Sequence, residues 1–286
     1  MTLSLFNAIS TGLVSLCLIA SLLSSSILIL WVLIEISGFC LIYMFLSCDS
    51  NSNVSFSSFL FYLANGISSI LIVSGAFLES PTLLEFGLCS KFFIFPFSVI
   101  LFYIFNNVSW GVIFIIGTMF KVFILGLSSV ISLLVNWELL IATIITCGFF
   151  IVFVSLNIKG LWFILNLSSS VVLFVGCVAL NNEDVFTLLL IYLVLSLINV
   201  SLLSSLDLVN NYYVSVNNSV TLSYLMFIVG FPVSLNLVYK VLSGILVINS
   251  SSNLLLLVWT TYIVMETGLL FLYFSNVLSN LKSLYY

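Results

Sequence analysis

Residues 25–46 read SSILILWVLIEISGFCLIYMFL, an apolar stretch in which Glu35 is the single charged residue. A helix of about 20 apolar residues crosses the roughly 30 Å hydrocarbon core of a bilayer, so this stretch has the length of one transmembrane helix. Similar stretches follow one another along the chain, separated by short polar breaks. Residues 25–46 therefore predict a protein built from membrane-spanning helices.

The overall composition supports the same fold class. The chain has 286 residues, of which 63% are hydrophobic and 5% are charged, and its mean hydropathy is +1.40. A soluble globular protein carries about 25% charged residues, so this chain cannot cover a water-facing surface. We expect residues 1–286 to form a single membrane domain with about ten or eleven spans.

The breaks divide the chain into ten predicted spans of an all-α, polytopic transmembrane helix bundle. The alternating ten-residue segments of a membrane β-barrel are absent, which favours helices. The stretch 219–249 is too long for one simple span and contains Gly230, Pro232 and Lys240, so we predict a broken helix there. The predicted spans are 3–22, 25–46, 56–78, 83–104, 109–131, 137–156, 161–180, 185–206, 219–249 and 253–277. Met1 to Ala20 lacks the basic segment of a signal peptide, so we expect a first span rather than a cleaved leader.

The residue types that are missing exclude several kinds of function. The chain has no arginine, histidine or glutamine, so phosphate clamps, nucleic-acid patches and histidine metal sites are not expected. The six cysteines form no CxxC pair and are interpreted as small core residues. We therefore expect no bound cofactor or metal, and membrane lipid rather than nucleic acid as the surroundings.

Besides Glu266, four charged residues lie away from the ends of predicted spans, where an ionisable side chain costs about 2.5 to 3.5 kcal/mol on insertion scales. Such residues are functional candidates because this cost is otherwise unnecessary. Two further lysines, Lys159 and Lys282, are expected to extend their ammonium groups to the lipid headgroups. The four candidates are Glu35, Lys91, Lys121 and Lys240.

A buried glutamate and lysine predict proton-relay chemistry. Burial disfavours the charged form of each group and an opposite charge restores it, so the pair can sit near the point of proton exchange. Polar residues on neighbouring spans are expected to assist, or else to serve only as interhelical hydrogen bonds. Glu266, inside the last apolar run, is either part of this chemistry or an interfacial charge. The polar neighbours are Asn65, Ser68, Ser69, Asn166, Ser168, Ser169, Ser170 and Asn236.

The spacing of the candidates is similar to that of a known family. Trp31 precedes Glu35 by four positions, and Lys91 is followed by Pro96 and Phe97. These residues resemble motifs of the NADH dehydrogenase (ubiquinone) subunit 2 family, the antiporter-like membrane subunits of respiratory complex I.

The later charges continue the resemblance. Lys121 comes 30 residues after the first lysine, and Lys240 comes eight residues after Pro232 in Gly230-Phe-Pro232, as in the family. The chain departs from the family where some members carry histidines; Ser98 stands at one of these positions. The resemblance covers most of the chain.

This resemblance implies a function in proton translocation across the mitochondrial inner membrane, coupled to electron transfer elsewhere in NADH:ubiquinone reductase. It implies that Glu35 and Lys91 form a switchable ion pair, Lys121 relays the proton and Lys240 is the gate toward the far side. It implies no cofactor in this chain and neighbouring antiporter-like subunits as partners. The alternatives are a free-standing secondary transporter of about ten spans, or a structural subunit in which these charges only lock helices together.

Overall fold

The computed structural model describes residues 2–24, 26–47, 52–128, 136–153, 157–212, 235–250 and 252–283. These residues form twelve α-helices and one short 3-10 helix, with no β-strand among them. The α-helices are α1 (Thr2–Leu23), α2 (Ile27–Ser47), α3 (Ser52–Phe77), α4 (Pro81–Lys91), α5 (Ser98–Asn107), α6 (Trp110–Gly117), α7 (Val122–Gly126), α8 (Trp137–Phe153), α9 (Ile158–Ala179), α10 (Asn182–Tyr212), α11 (Leu235–Asn249) and α12 (Asn253–Ser283).

The predicted all-α membrane fold is confirmed. Five helices are long and apolar enough to cross a bilayer, and shorter apolar helices occupy the other predicted spans. Many large apolar side chains point outward, which suits lipid contact because the hydrocarbon core does not disfavour them. The five long helices cover Ile27–Phe45, Asn53–Phe77, Ile158–Ala179, Glu183–Asp207 and Asn253–Leu272.

The fourth predicted span is interrupted, which the sequence did not predict. It forms α4 and α5, separated by a non-helical segment that begins after Lys91. Phe93 has a left-handed backbone with φ 55°, and Pro96 has no N–H to continue a helical hydrogen-bond ladder. Lys91 therefore lies in the last turn of α4, at the negative end of the helix dipole.

The fifth predicted span is interrupted in the same way. The helix α6 ends at Gly117, a 3-10 turn covers Met119–Lys121, and α7 begins at Val122. The hydroxyl of Thr118 donates to the carbonyl of Phe114, a local bond that competes with regular helix geometry. The break predicted around Pro232 lies outside the described residues.

The helix α9 is the centre of the bundle. Its apolar window is 89% buried, against 33–44% for the other long helices. It contacts α5, α7, α8, α10 and α11. Because α9 carries Asn166 and the serines at 168–170, its central position brings polar side chains into the interior of the protein.

Candidate functional site

Glu35, Asn65 and Lys91 form a closed polar cluster between α2, α3 and α4. The Lys91 Nζ lies 2.5 Å from Glu35 Oε1 and donates to Asn65 Oδ1 at 2.6 Å. The Asn65 amide nitrogen donates to Glu35 Oε2 at 2.9 Å. The asparagine therefore bridges the two charged groups, so both partners of the ion pair have a second hydrogen bond.

Local packing and burial hold this cluster in place. Lys91 is 4% exposed and Asn65 is 7% exposed, whereas the side chain of Glu35 is 15% exposed. Gly38 lies one turn after Glu35, and a Cβ there would be 2.8 Å from the Asn65 amide nitrogen. The glycine thus makes the room that the asparagine needs to reach Glu35. Of the three residues in the cluster, Glu35 is the most exposed.

Lys121 forms a second cluster with α9 and α10. Its Nζ donates to the carbonyl of Asn166 at 2.5 Å, to the hydroxyl of Ser169 at 2.5 Å and to the hydroxyl of Tyr192 at 3.0 Å. The same Nζ lies 4.5 Å from the centroid of the Tyr192 ring. Three acceptors match the three protons of an ammonium group, and the aromatic ring adds a cation–π contact.

Neutral groups surround Lys121, whereas Lys91 and Lys240 each lie beside a carboxylate. Lys121 is 3% exposed, and the two ion pairs among the described residues involve Lys91 and Lys240 instead. A buried ammonium group without a carboxylate is held by dipoles alone, so its charged form is less favoured than in an ion pair. The arrangement suits a lysine that gains and loses a proton.

Lys240 and Glu266 form a third cluster between α11 and α12. The Lys240 Nζ lies 2.8 Å from Glu266 Oε1, although the alignment does not meet hydrogen-bond geometry. Glu266 is 5% exposed, and the side chain of Lys240 is 25% exposed. The sequence left the role of Glu266 open; its place within the last apolar run was the signal that pointed to it.

Cavities join the three clusters. A cavity of about 10 Å³ touches both Lys91 and Lys121, which is room for about one water molecule. A larger cavity of about 70 Å³ is lined by Ser169, Tyr192, Lys240 and Glu266 among others, which is room for several water molecules. The three clusters and the two cavities between them are called the polar line; it includes Glu35, Lys91, Lys121, Lys240 and Glu266.

The walls of the larger cavity are mostly apolar, but they include polar groups that suit water. Trp162, Tyr239 and Trp259 line it, and each carries a buried N–H or O–H without a hydrogen-bond partner among the described residues. Buried donors of this kind are usually satisfied by ordered water when there is room. The cavity therefore offers hydrogen-bonding groups to any water that it holds.

The four predicted site residues thus lie on one polar line, where the structure pairs Glu35 with Lys91 and Lys240 with Glu266. The predicted polar neighbours fall into two groups. Asn65, Asn166 and Ser169 contact the charged groups. Ser68 and Ser69 instead donate to carbonyls of their own helix. Tyr192 was missed because a tyrosine in an apolar span carries no signal in sequence. The side chain of Asn236 lies outside the described residues.

Lys159 lies away from this line. Its Nζ donates to the carbonyl of Val108 at 2.8 Å, just after the end of α5, where free carbonyls attract a cation. Five cysteines are described, all buried and unpaired in disulfides. Among the described residues, no group of three or more histidine, cysteine or acidic side chains could hold a metal ion.

Comparison with known proteins gives no family assignment. No protein-family model matches the chain, and no curated protein matches it. The resemblance to the subunit 2 family therefore stays a prediction, and a functional proposal has to rest on the geometry of the three clusters.

Proposed function

We propose that this chain is a core membrane subunit of NADH:ubiquinone reductase, respiratory complex I, and that it takes part in proton translocation across the mitochondrial inner membrane. The observation that carries the proposal is Lys121, buried among neutral partners between two ion pairs. The proposal places electron transfer elsewhere in the complex, with other membrane subunits and lipid as the partners of this chain.

The ion pair of Glu35 and Lys91 is the proposed switch. While the carboxylate stays 2.5 Å from the Lys91 Nζ, it stabilises the lysine's proton. If Glu35 turns toward another positive group, Lys91 is left buried without its counter-charge and its proton affinity falls. The released proton has a path toward Lys121 through the small cavity that touches both lysines.

The ion pair of Lys240 and Glu266 is the proposed exit or entry at the other end. Protonation of Glu266 or deprotonation of Lys240 breaks the attraction between them, so each proton that arrives changes the pairing. The Lys240 side chain is 25% exposed overall, while its Nζ and Glu266 Oε1 are themselves buried. A proton that moves along the line therefore alternates between paired and unpaired lysines.

A variant at the centre of the line tests the proposal. Lys121→Met keeps the length and apolar stem of the side chain but removes the proton-carrying group. We expect NADH-driven proton translocation to be abolished in membrane vesicles, with NADH oxidation by artificial acceptors unchanged. Lys159→Met is the matched control because Lys159 contacts a carbonyl away from the line. Normal translocation in Lys121→Met would refute the relay.

A free-standing secondary transporter is the second candidate. It is favoured by the cavity beside the third cluster, which has aromatic and charged walls. Pockets for organic ligands measure about 300 to 1,000 Å³, whereas this cavity measures about 70 Å³. The size suits water and protons better than an organic substrate. Substrate uptake by vesicles containing the purified chain alone would favour the transporter instead.

A further inference from the structure

Lys121 reaches the larger cavity only indirectly. The cavity walls include Ser169 and Tyr192 but not Lys121, and both hydroxyl groups accept hydrogen bonds from the Lys121 Nζ. Lys121 itself lines the small cavity that it shares with Lys91. The lysine therefore has direct access to one cavity and access through two hydroxyl groups to the other.

We propose that the hydroxyl groups of Ser169 and Tyr192 form a proton-transferring bridge between Lys121 and the cavity that contains Lys240 and Glu266. This inference rests on the proposed function and adds two catalytic residues to it. Among the described residues, these are the two that line this cavity and whose hydroxyls accept hydrogen bonds from the Lys121 Nζ.

The hydrogen bonds around the bridge suit both directions of transfer. The Tyr192 hydroxyl can donate to Asn166 Oδ1 at 3.0 Å or to the carbonyl of Gly117 at 3.2 Å. The Ser169 hydroxyl donates to the carbonyl of Asn166 at 2.7 Å. Each hydroxyl therefore offers its oxygen to a charged Lys121, and by rotating its O–H it can donate to a neutral one.

The transfer step leaves no charge on the bridge. One N–H bond of the Lys121 ammonium breaks as an O–H bond forms on the hydroxyl oxygen. The original O–H bond of that hydroxyl breaks as its proton passes to an acceptor in the cavity, either water or the Glu266 carboxylate. The net change is one proton moved, a neutral Lys121 amine and an unchanged hydroxyl, which rotates before the next transfer.

Removing both hydroxyls tests the bridge. The double variant Tyr192→Phe/Ser169→Ala keeps the aromatic ring beside Lys121 but leaves no hydroxyl between the lysine and the cavity. In vesicles with the assembled complex, we expect NADH-driven translocation to fall to the level of Lys121→Met, at least about tenfold below the unsubstituted chain. NADH oxidation by artificial acceptors and the amount of complex should not change.

The matched control is Tyr62→Phe/Ser21→Ala. Tyr62 is 51% exposed and Ser21 is fully buried, with its hydroxyl bonded to a carbonyl of its own helix. We expect this variant to translocate normally. More than half of normal translocation in the bridge variant, with none in Lys121→Met, would overturn the bridge alone; normal translocation in Lys121→Met would overturn the proposed function itself.

The single variants decide the question if the double variant does not assemble. Tyr192→Phe and Ser169→Ala each leave one bridging hydroxyl, so we expect each to slow translocation by about two- to fivefold. Unchanged translocation in both single variants would overturn the bridge. Ser169→Thr retains a hydroxyl at the same position and should translocate faster than Ser169→Ala, which a role in packing volume would not predict.

Discussion

At the scale of single residues, Glu266 has the largest effect on the chemistry expected in the third cluster, where it lies beside Lys240. Without it, the buried Lys240 Nζ would have no carboxylate beside it. With its Oε1 2.8 Å from the Lys240 Nζ, the two groups form an ion pair beside the larger cavity. The third cluster therefore has both an acid and a base, as the cluster of Glu35 and Lys91 does.

Substitution of Glu266 tests this pairing. Glu266→Gln keeps the shape of the side chain but leaves Lys240 without its counter-charge, so we expect translocation to fall severalfold and the protein to unfold at a lower temperature. The measurements are proton translocation in vesicles and thermal unfolding in detergent. Glu183→Gln, at an exposed position in the first turn of α10, is the control.

A double variant separates stability from function at the same pair. Removing one member of a buried ion pair costs more stability than replacing both with apolar residues. We therefore expect Lys240→Met/Glu266→Leu to be more stable than Glu266→Gln and still deficient in translocation. Recovery of translocation in the double variant would show that the pair only locks α11 to α12.

At the scale of elements, the close contact of α3 with α4 determines where Lys91 lies. A Cβ at Gly87 would be 2.8 Å from the backbone nitrogen of Ile72, and one at Gly75 would be 2.6 Å from that of Leu84. Helices in lipid associate through such close packing of small residues, since burial from water does not drive them together. The two glycines thus bring α4 close enough for Lys91 to meet Glu35.

A larger side chain at this contact should move α4 away. We expect Gly87→Val to destabilise the protein by about 1 to 3 kcal/mol, as overpacking does, and to impair translocation because Lys91 lies four residues later. Thermal unfolding in detergent measures the first effect and proton translocation the second. Gly12→Ala is the control, since nothing lies within 4 Å of a Cβ at that position. Unchanged unfolding in Gly87→Val would contradict the packing account.

At the scale of the whole molecule, the proposed switch needs a partner. Glu35 is on α2, which exposes apolar side chains such as Ile29 and Phe39, and the Glu35 side chain is 15% exposed. A neighbouring subunit that placed a positive group near α2 would be able to draw Glu35 away from Lys91.

Assembly is therefore the whole-molecule prediction. We expect the chain, extracted in mild detergent, to copurify with other membrane subunits of respiratory complex I, because the switch at Glu35 depends on a neighbour. Affinity purification followed by mass spectrometry measures this. A chain that is isolated alone from native membranes as a stable monomer would contradict membership of the complex.

Several features of this protein could be predicted from sequence because they depend on composition and order along the chain. Apolar length is a local property, so the spans and the all-α class follow from it. The cost of charge in lipid is also local, so Glu35, Lys91, Lys121 and Lys240 stood out as candidates. What the sequence determined was which residues are unusual in a membrane and roughly at which depth.

Only the tertiary structure decided which of these residues meet. The contact of Lys91 with Glu35 spans 56 positions and that of Lys121 with Tyr192 spans 71, distances along the chain at which no local pattern operates. The breaks after Lys91 and at Thr118 also became visible only in the structure, where Phe93 has a left-handed backbone and the Thr118 hydroxyl donates to the carbonyl of Phe114. A charge inside a membrane must find its partners across helices, so sequence reveals that partners are needed, and folding determines which side chains supply them.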